Sequence, residues 1–120
     1  PVAAARFVDT LPDGQDRNDA VSLVTLHWVH LDSVAASKWV TDMEPGEARD
    51  RGAGQIAFAI LNTDPRSAFD WVLSISNPIA RDEWLRRHGR SWVKSNSDQV
   101  DALLGGMNLE PSDKKSLGLK

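Results

Sequence analysis

Two histidines three residues apart have a spacing that could support metal chemistry. His27 and His30 are followed by Asp32, and two imidazoles with a carboxylate on adjoining helical turns could bind zinc or nickel. No third strong ligand follows at helical spacing. The chain also has no cysteine, which excludes disulfides, thiolate metal sites and cysteine nucleophiles. We therefore predict surface histidines, no metal site and no cofactor.

A second group of residues could support binding. The stretch ARDEWLRRHGRSWVK is the most basic part of the chain, and its cations share one side of a predicted helix. Aromatic residues beside arginines are typical of protein interaction hot spots. The predicted partner-binding residues are Trp84, Arg86, Arg87, His88, Arg90 and Lys94.

Three interpretations of this stretch stay open. It could be a solvated face offset by Asp82 and Glu83, or one that docks onto the acidic start of another copy. It could contact a protein partner or mediate self-association. It could also bind phosphates of a nucleic acid, which the presence of only about four cations on that helical face disfavours.

Common catalytic motifs are absent from the sequence. It contains no Gly-rich phosphate loop, no Gly-x-Ser-x-Gly turn, no His-Glu-x-x-His and no carboxylate pair in an apolar setting. We predict that the chain is not an enzyme and has no catalytic residue.

Composition bounds the class of protein. The 120 residues carry a formal net charge of −3, which gives no general attraction to nucleic acids or anionic membranes. The charge is uneven: residues 1–60 hold 5 Lys or Arg and 9 Asp or Glu, whereas residues 61–120 hold 9 and 8. No apolar run approaches the roughly 18 residues of a membrane span. Because the chain starts at Pro1 without Met, we expect a piece of a longer protein and leave its compartment open between cytoplasm and cell envelope.

These residues are positioned by a repeat with a period of 32 residues. Segments starting at Ala4, Ala36 and Ala68 align without a gap, and a truncated fourth starts at Val100. Apolar residues recur at i, i+3, i+4 and i+7, the pattern of a short amphipathic helix. The aligned columns are Ala4, Ala36, Ala68 and Val100; Phe7, Trp39, Trp71 and Leu103; Val8, Val40, Val72 and Leu104; and Leu11, Met43, Ile75 and Met107.

Turn residues then separate this first helix of each unit from a second one. Pro and Gly or Asn follow each first helix, and the second helices end near Asp32, Asp64 and Asn96. Asp64-Pro65 is typical of a helix start. We predict an all-α fold, an α-α superhelix (solenoid) of three helical hairpins plus a terminal helix, with about seven helices. The single domain 1–120 divides into repeats 4–35, 36–67 and 68–99, a partial repeat 100–108 and a frayed tail 109–120.

The columns also test individual residues. Trp39, Trp71, Trp28 and Trp92 fall in apolar columns and are predicted core residues. Trp84 aligns with the small residues Ala20 and Gly52, so its local neighbour is expected to be absent, displaced or replaced by another protein. His88 replaces the apolar Val24 and Ile56, as a hydrogen-bonded core or end-capping histidine or as a ligand-facing, pH-sensing one. Arg17, Arg49 and Arg81 recur in one column. They are predicted to bind carbonyls of the preceding turn or a carboxylate of the next unit.

The Trp-Val motif, the Pro/Gly-rich turn, the following Arg and the closing Asp-Pro resemble a known type of repeat. It is the degenerate tandem helical repeat of large bacterial proteins of the planctomycete and verrucomicrobial kind. More broadly, the chain is similar to tetratricopeptide-like and HEAT-like arrays, although it lacks the tetratricopeptide Leu-Gly-x-x-Tyr stretch and has no Tyr. The resemblance covers roughly residues 3–108 and implies scaffolding or peptide binding.

The predicted function is therefore a non-catalytic helical-repeat scaffold for a protein or peptide, with self-association through exposed repeat ends as a further possibility. Two alternatives stay open: a regulatory or accessory domain of a larger enzyme or signalling protein, and weak nucleic-acid binding through the Arg-rich helix of the third repeat.

Overall fold

The computed structural model describes residues 1–119, and its regular elements are all helical. The all-α class is thus confirmed, while the superhelical arrangement stays a prediction. The helices are α1 (Val2–Asp9), α2 (Gln15–Leu31), α3 (Ser33–Thr41), α4 (Glu47–Ile60), α5 (Pro65–Leu73), α6 (Pro78–Trp84), a π-helical segment (Leu85–Gly89), α7 (Arg90–Ser95), α8 (Val100–Leu104) and α9 (Pro111–Ser116). No helix within residues 1–119 is both long and apolar enough to cross a membrane.

Capping side chains and glycines mark where four of the helices begin. The side chains of Asp32 and Asp64 accept hydrogen bonds from the backbone N–H groups of Ala35 and Ser67, which fixes the starts of α3 and α5. Gly14 and Gly46 precede α2 and α4 with φ angles of 147° and 158°. Glycine is favoured there because it has no Cβ to clash in this conformation.

The period of 32 residues is also present in the contacts between units. The second helices α2 and α4 pack extensively against each other. Arg51 reaches back to Asp19, 3.2 Å away, and Gln55 donates to Ser22 at 2.9 Å. The Trp39 N–H donates to Asp9 at 3.1 Å. Unit one and unit two are therefore joined by equivalent elements.

The predicted apolar columns form most of the core. Val8, Val40, Val72 and Leu104 are all buried, as are Trp28 and Trp92. Trp39 and Trp71 are only half-buried. For Trp39 this follows from its position, because its indole edge extends to the exposed Asp9 of the preceding unit.

The third unit departs from the other two by one residue. Its second helix is continuous through α6, the π-helical segment and α7. It begins after the N-cap Asn77, one position ahead of Gly14 and Gly46 in the repeat, yet ends at Ser95, in register with Leu31. The helix is therefore one residue longer than α2 and the turn before it one residue shorter. A π-helical turn accommodates such an extra residue within an α-helix.

The tail 109–120, for which the sequence predicts fraying with at most one short helical turn, contains the six-residue helix α9 within its described residues 109–119; Lys120 lies outside them. Glu110 and Asp113 form a capping box that starts α9. Leu117 is 2% exposed and packs at Gly89, where a Cβ atom would lie only 2.5 Å from the Leu117 Cδ2 atom. Arg90 Nε donates to the Ser116 carbonyl at 2.7 Å. Because α6, the π-helical segment and α7 form one continuous helix, residues 1–119 contain eight helices, one more than the seven predicted.

Candidate functional site

A groove of about 710 Å³ lies along the second helices, mainly between α4 and the longer helix of unit three. Its lining positions follow one another at helical spacing, so each helix contributes one face. The lining includes Glu47, Asp50, Arg51, Gly54 and Phe58 of α4, Ile75 and Asn77 of the turn, and Ile79, Glu83, Trp84, Arg87 and His88 of the third unit.

The groove exists because α4 and the next second helix do not pack as α2 and α4 do. The described residues show almost no close backbone approach between α4 and the helix Pro78–Ser95. Trp84 fills the space between them: it is 8% exposed, and its N–H donates to the Gly54 carbonyl oxygen at 3.0 Å. Its ring meets that of Phe69 edge to face at 6.2 Å between centroids.

The position of Trp84 corrects the expectation that this chain offers it no neighbour. Counted from the helix N-caps instead of at a fixed period, Trp84 corresponds to Val21 and Ala53, both buried core residues. The one-residue offset of the third helix therefore places the indole in an apolar column. A contribution of its exposed edge to partner binding stays a prediction.

Apolar side chains stand exposed on both walls of the groove. Phe58 of α4 is 53% exposed and Ile79 of α6 is 71% exposed, whereas Ile75 is buried. The Phe58 ring lies 4.7 Å from that of His88, which lies 5.2 Å from that of Trp84. Three rings, tilted at 51° and 62° to one another, thus form a continuous row of contacts from the exposed rim to the core.

His88 is half-buried, and its imidazole makes no hydrogen bond within residues 1–119. Burial removes water from the imidazolium form and lowers the pKa of His88 below its ordinary 6.5, and the neighbouring Arg87 charge lowers it further. The ring is therefore neutral near pH 7. Its place in the groove wall matches the ligand-facing alternative in geometry, while binding itself stays a prediction.

Most charges in the groove are used within the chain. Asp50 is buried and accepts hydrogen bonds from the backbone N–H groups of Ser76 at 2.8 Å and Asn77 at 3.1 Å, which holds the turn before α6. Arg51 is paired with Asp19 at 3.2 Å. Within the described part of the chain, Glu83 and Arg87 have no such partner. These two residues are free to contact a ligand.

The structure separates the six predicted binding residues into two groups. Trp84, Arg87 and His88 line the groove. Arg86, Arg90 and Lys94 do not line it. Arg86 pairs with Asp82 at 2.8 Å, and Arg90 binds the carbonyls that end α9. The basic strip is therefore partly used to hold the C-terminal helix.

The predicted arginine ladder is incomplete. Arg81 contacts the Leu73 carbonyl at 3.5 Å and Asp113 at 3.3 Å, as predicted, and Arg17 pairs with Asp13 of its own turn. Arg49 makes no hydrogen bond or ion pair with the described residues. The units are linked instead by the residues that directly follow these arginines, namely Asn18, Asp50 and Asp82. Asn18 donates to Glu47, Asp50 holds the following turn, and Asp82 accepts from Ser116.

Sequence reasoning missed Phe58 and Ile79. Both occupy columns with mixed residue types, Leu26 with Arg90 and Gln15 with Glu47, so no apolar pattern marks them. One signal could have found them: each is a large apolar residue that lies outside the apolar stripe by which its helix packs on the core. His27 and His30 are exposed, and residues 1–119 contain no group of three or more His, Cys, Asp or Glu that could hold a metal ion.

Comparisons with protein-family models, curated proteins and solved structures find no match to this chain, so its resemblance to known helical repeats stays a prediction.

Proposed function

We propose that the chain is a non-catalytic helical-repeat scaffold that binds a short protein segment in the groove between α4 and α6. The observation that carries this proposal is the pair of exposed apolar side chains, Phe58 and Ile79, on opposite walls above the Trp84 ring. Protein interaction sites combine such apolar anchors with a polar rim. Glu83 and Arg87 supply that rim here.

The groove is preformed, which favours binding. Trp84 is fixed by its hydrogen bond to Gly54, and Asp50 fixes the turn that carries Asn77. A ligand therefore orders few side chains of this chain when it binds. Covering either exposed apolar side chain would contribute on the order of 1 to 2 kcal/mol.

Three core clusters share half-buried residues at their edges, which supports a superhelical scaffold as the wider architecture; the shared residues are Val24 and Trp39 for one pair of clusters and Ile60 and Trp71 for the other. A regulatory or accessory role within a larger protein is compatible with the same groove. Nucleic-acid binding is less supported, because Arg86 and Arg90 are engaged with Asp82 and with α9. A phosphate backbone would have to compete with both contacts.

The test selects binders from a displayed library of short random peptides and measures their Kd by fluorescence anisotropy. Phe58→Ser and Ile79→Ser should each weaken binding by about tenfold, or ~1.4 kcal/mol. Val34→Ser is the matched control, because Val34 is 80% exposed and does not line the groove. Equal affinity for wild type and both groove variants would show that the groove is not the site.

A further inference from the structure

The second surface of interest is the end of unit one that faces away from unit two, formed by Ala4, Phe7, Asp16 and Leu23. We call it the upstream face. Phe7 is 65% exposed, and Ala4, Asp16 and Leu23 are exposed as well. Their equivalents one period later are buried or half-buried: Ala36, Trp39, Ala48 and Gln55. The same columns therefore differ in exposure between units.

The hairpin of unit one covers these equivalents in unit two. Ala48 packs in a cluster with Val8 and Val21, and Ala36 packs with Trp28 and Val29. The Trp39 N–H reaches Asp9, and Gln55 reaches Ser22. Each covering residue belongs to α1 or α2. What buries this surface in unit two is thus a helical hairpin one period earlier.

We propose that the upstream face is a docking surface for one further helical hairpin of the same type. At the other end of the described residues 1–119, α9 covers unit three, with Leu117 buried at Gly89. Within those residues, a second copy therefore presents no free hairpin face at that end to place on unit one.

Charge defines the chemistry of the docking hairpin. In the interface between units one and two, Arg51 meets Asp19 of the preceding hairpin. The column of Arg51 holds Asp19 in unit one, so the charge is reversed there. Asp19 binds Arg51 and Gln15 through Oδ1, and its Oδ2 has no hydrogen-bond or ion-pair partner within residues 1–119. Asp16 adds a second carboxylate where unit two has the buried Ala48. The occupant should carry Lys or Arg opposite these carboxylates. It should carry an apolar residue opposite Phe7, because the Phe7 ring has no N–H group to donate.

The experiment extends the full chain upstream by a copy of residues 1–32, joined directly to Pro1 so that the period is kept. The added copy carries Asp9→Leu and Asp19→Arg, and a matched extension carries Asp9→Leu alone. Because the chain has no cysteine, Ala4→Cys in the original unit one is a single thiol probe. Val34→Cys is the control probe, since its column is exposed in all three units.

The Ala4→Cys thiol should react with a disulfide reagent about tenfold more slowly in the Asp19→Arg extension than in the unextended chain. The extension that keeps Asp19 should protect it less, and the Val34→Cys thiol should react equally fast throughout. Unchanged reactivity of the Ala4→Cys thiol, or an added hairpin without additional helical circular dichroism, would overturn the proposal. Concentration-dependent protection in the unextended chain, with a doubled mass by light scattering, would overturn it in favour of a second copy.

Discussion

The Trp84 indole N–H donates to the Gly54 backbone carbonyl oxygen at 3.0 Å, joining the second helices of units two and three across the floor of the groove. Trp84→Phe removes the donor and keeps an aromatic ring in place. We expect it to lower the free energy of unfolding by about 1 kcal/mol in urea denaturation. Trp39→Phe is the matched control, because its N–H bonds the exposed Asp9, and it should cost less. Equal losses of unfolding free energy in the two variants would mean that the hydrogen bond to Gly54 stabilises the fold no more than the bond to Asp9.

Gly52 and Gly54 of α4 are separated by one residue, and replacing each by alanine should change the stability of the protein in opposite directions. A Cβ atom at Gly52 would lie 2.7 Å from a methyl of the buried Val40, so Gly52→Ala should destabilise by about 1 to 3 kcal/mol. A Cβ atom at Gly54 would lie 3.5 Å from Trp84 Cδ1, an ordinary contact. Gly54→Ala should therefore stabilise by up to about 1 kcal/mol, through helix propensity. Thermal unfolding of both variants measures this, and two shifts of the same sign would contradict it.

The packing of α9 on the π-helical segment can be tested through Gly89 and Leu117. Gly89→Ala places a Cβ atom against the Leu117 side chain and should destabilise by about 1 to 3 kcal/mol. Leu117→Ala removes a buried side chain and should cost about 2 to 5 kcal/mol. Because the smaller residue makes room for the new methyl group, the double variant should lose less than the two single losses combined. If the losses of the two single variants add up to that of the double variant in urea denaturation, Gly89 and Leu117 are not in contact.

The lowered pKa of His88 predicts a loss of stability in acid. The unfolded state binds a proton at the ordinary pKa of 6.5, before the folded state does. The contribution of His88 to the free energy of unfolding is therefore complete above pH 6.5. It should fall as the pH drops below 6.5, until the pH has passed the folded-state pKa. His88→Gln should remove this part of the pH dependence. Urea denaturation at about pH 8 and about pH 5 tests it; an identical acid loss in both proteins would rule it out.

Deleting Arg86 should convert the π-helical turn into an α-helix. The segment holds the extra residue of the third helix, and the Arg86 side chain only pairs with the half-exposed Asp82. Residues on either side should keep their contacts, so we expect a cooperative transition and a loss of about 1 kcal/mol or less. Deleting Phe58 from the regular helix α4 rotates every following residue and is the contrasting control. A larger loss for the Arg86 deletion would contradict the origin given for the π-helical turn.

The sequence predicts the first helices well because three independent signals agree. The apolar columns, the caps Asp32 and Asp64 and the turn glycines all recur at one period. A fixed period places Trp84 in the wrong column, because it cannot register a helix that starts one residue early. Asn77-Pro78, a cap followed by proline, carried that information locally. The groove could not be predicted, since it depends on how far the Trp84 ring keeps two helices apart.

The tail shows the same limit at the end of the chain. Glu110-Pro111 and Asp113 are helix-start signals, but a six-residue helix has little stability of its own. Its stability comes from Gly89, whose missing side chain leaves room for Leu117. Such a pairing of a gap with a distant side chain has no periodic signature.

The exchange of one residue between a turn and the helix after it has a consequence for how such arrays diversify. The period is unchanged, so the units before and after the third helix keep their partners, while the spacing between two neighbouring helices is altered. A compensated insertion and deletion can thus remodel the groove between two neighbouring helices without disturbing the rest of the chain. Groove shape can change in this way one hairpin at a time, at an unchanged overall length.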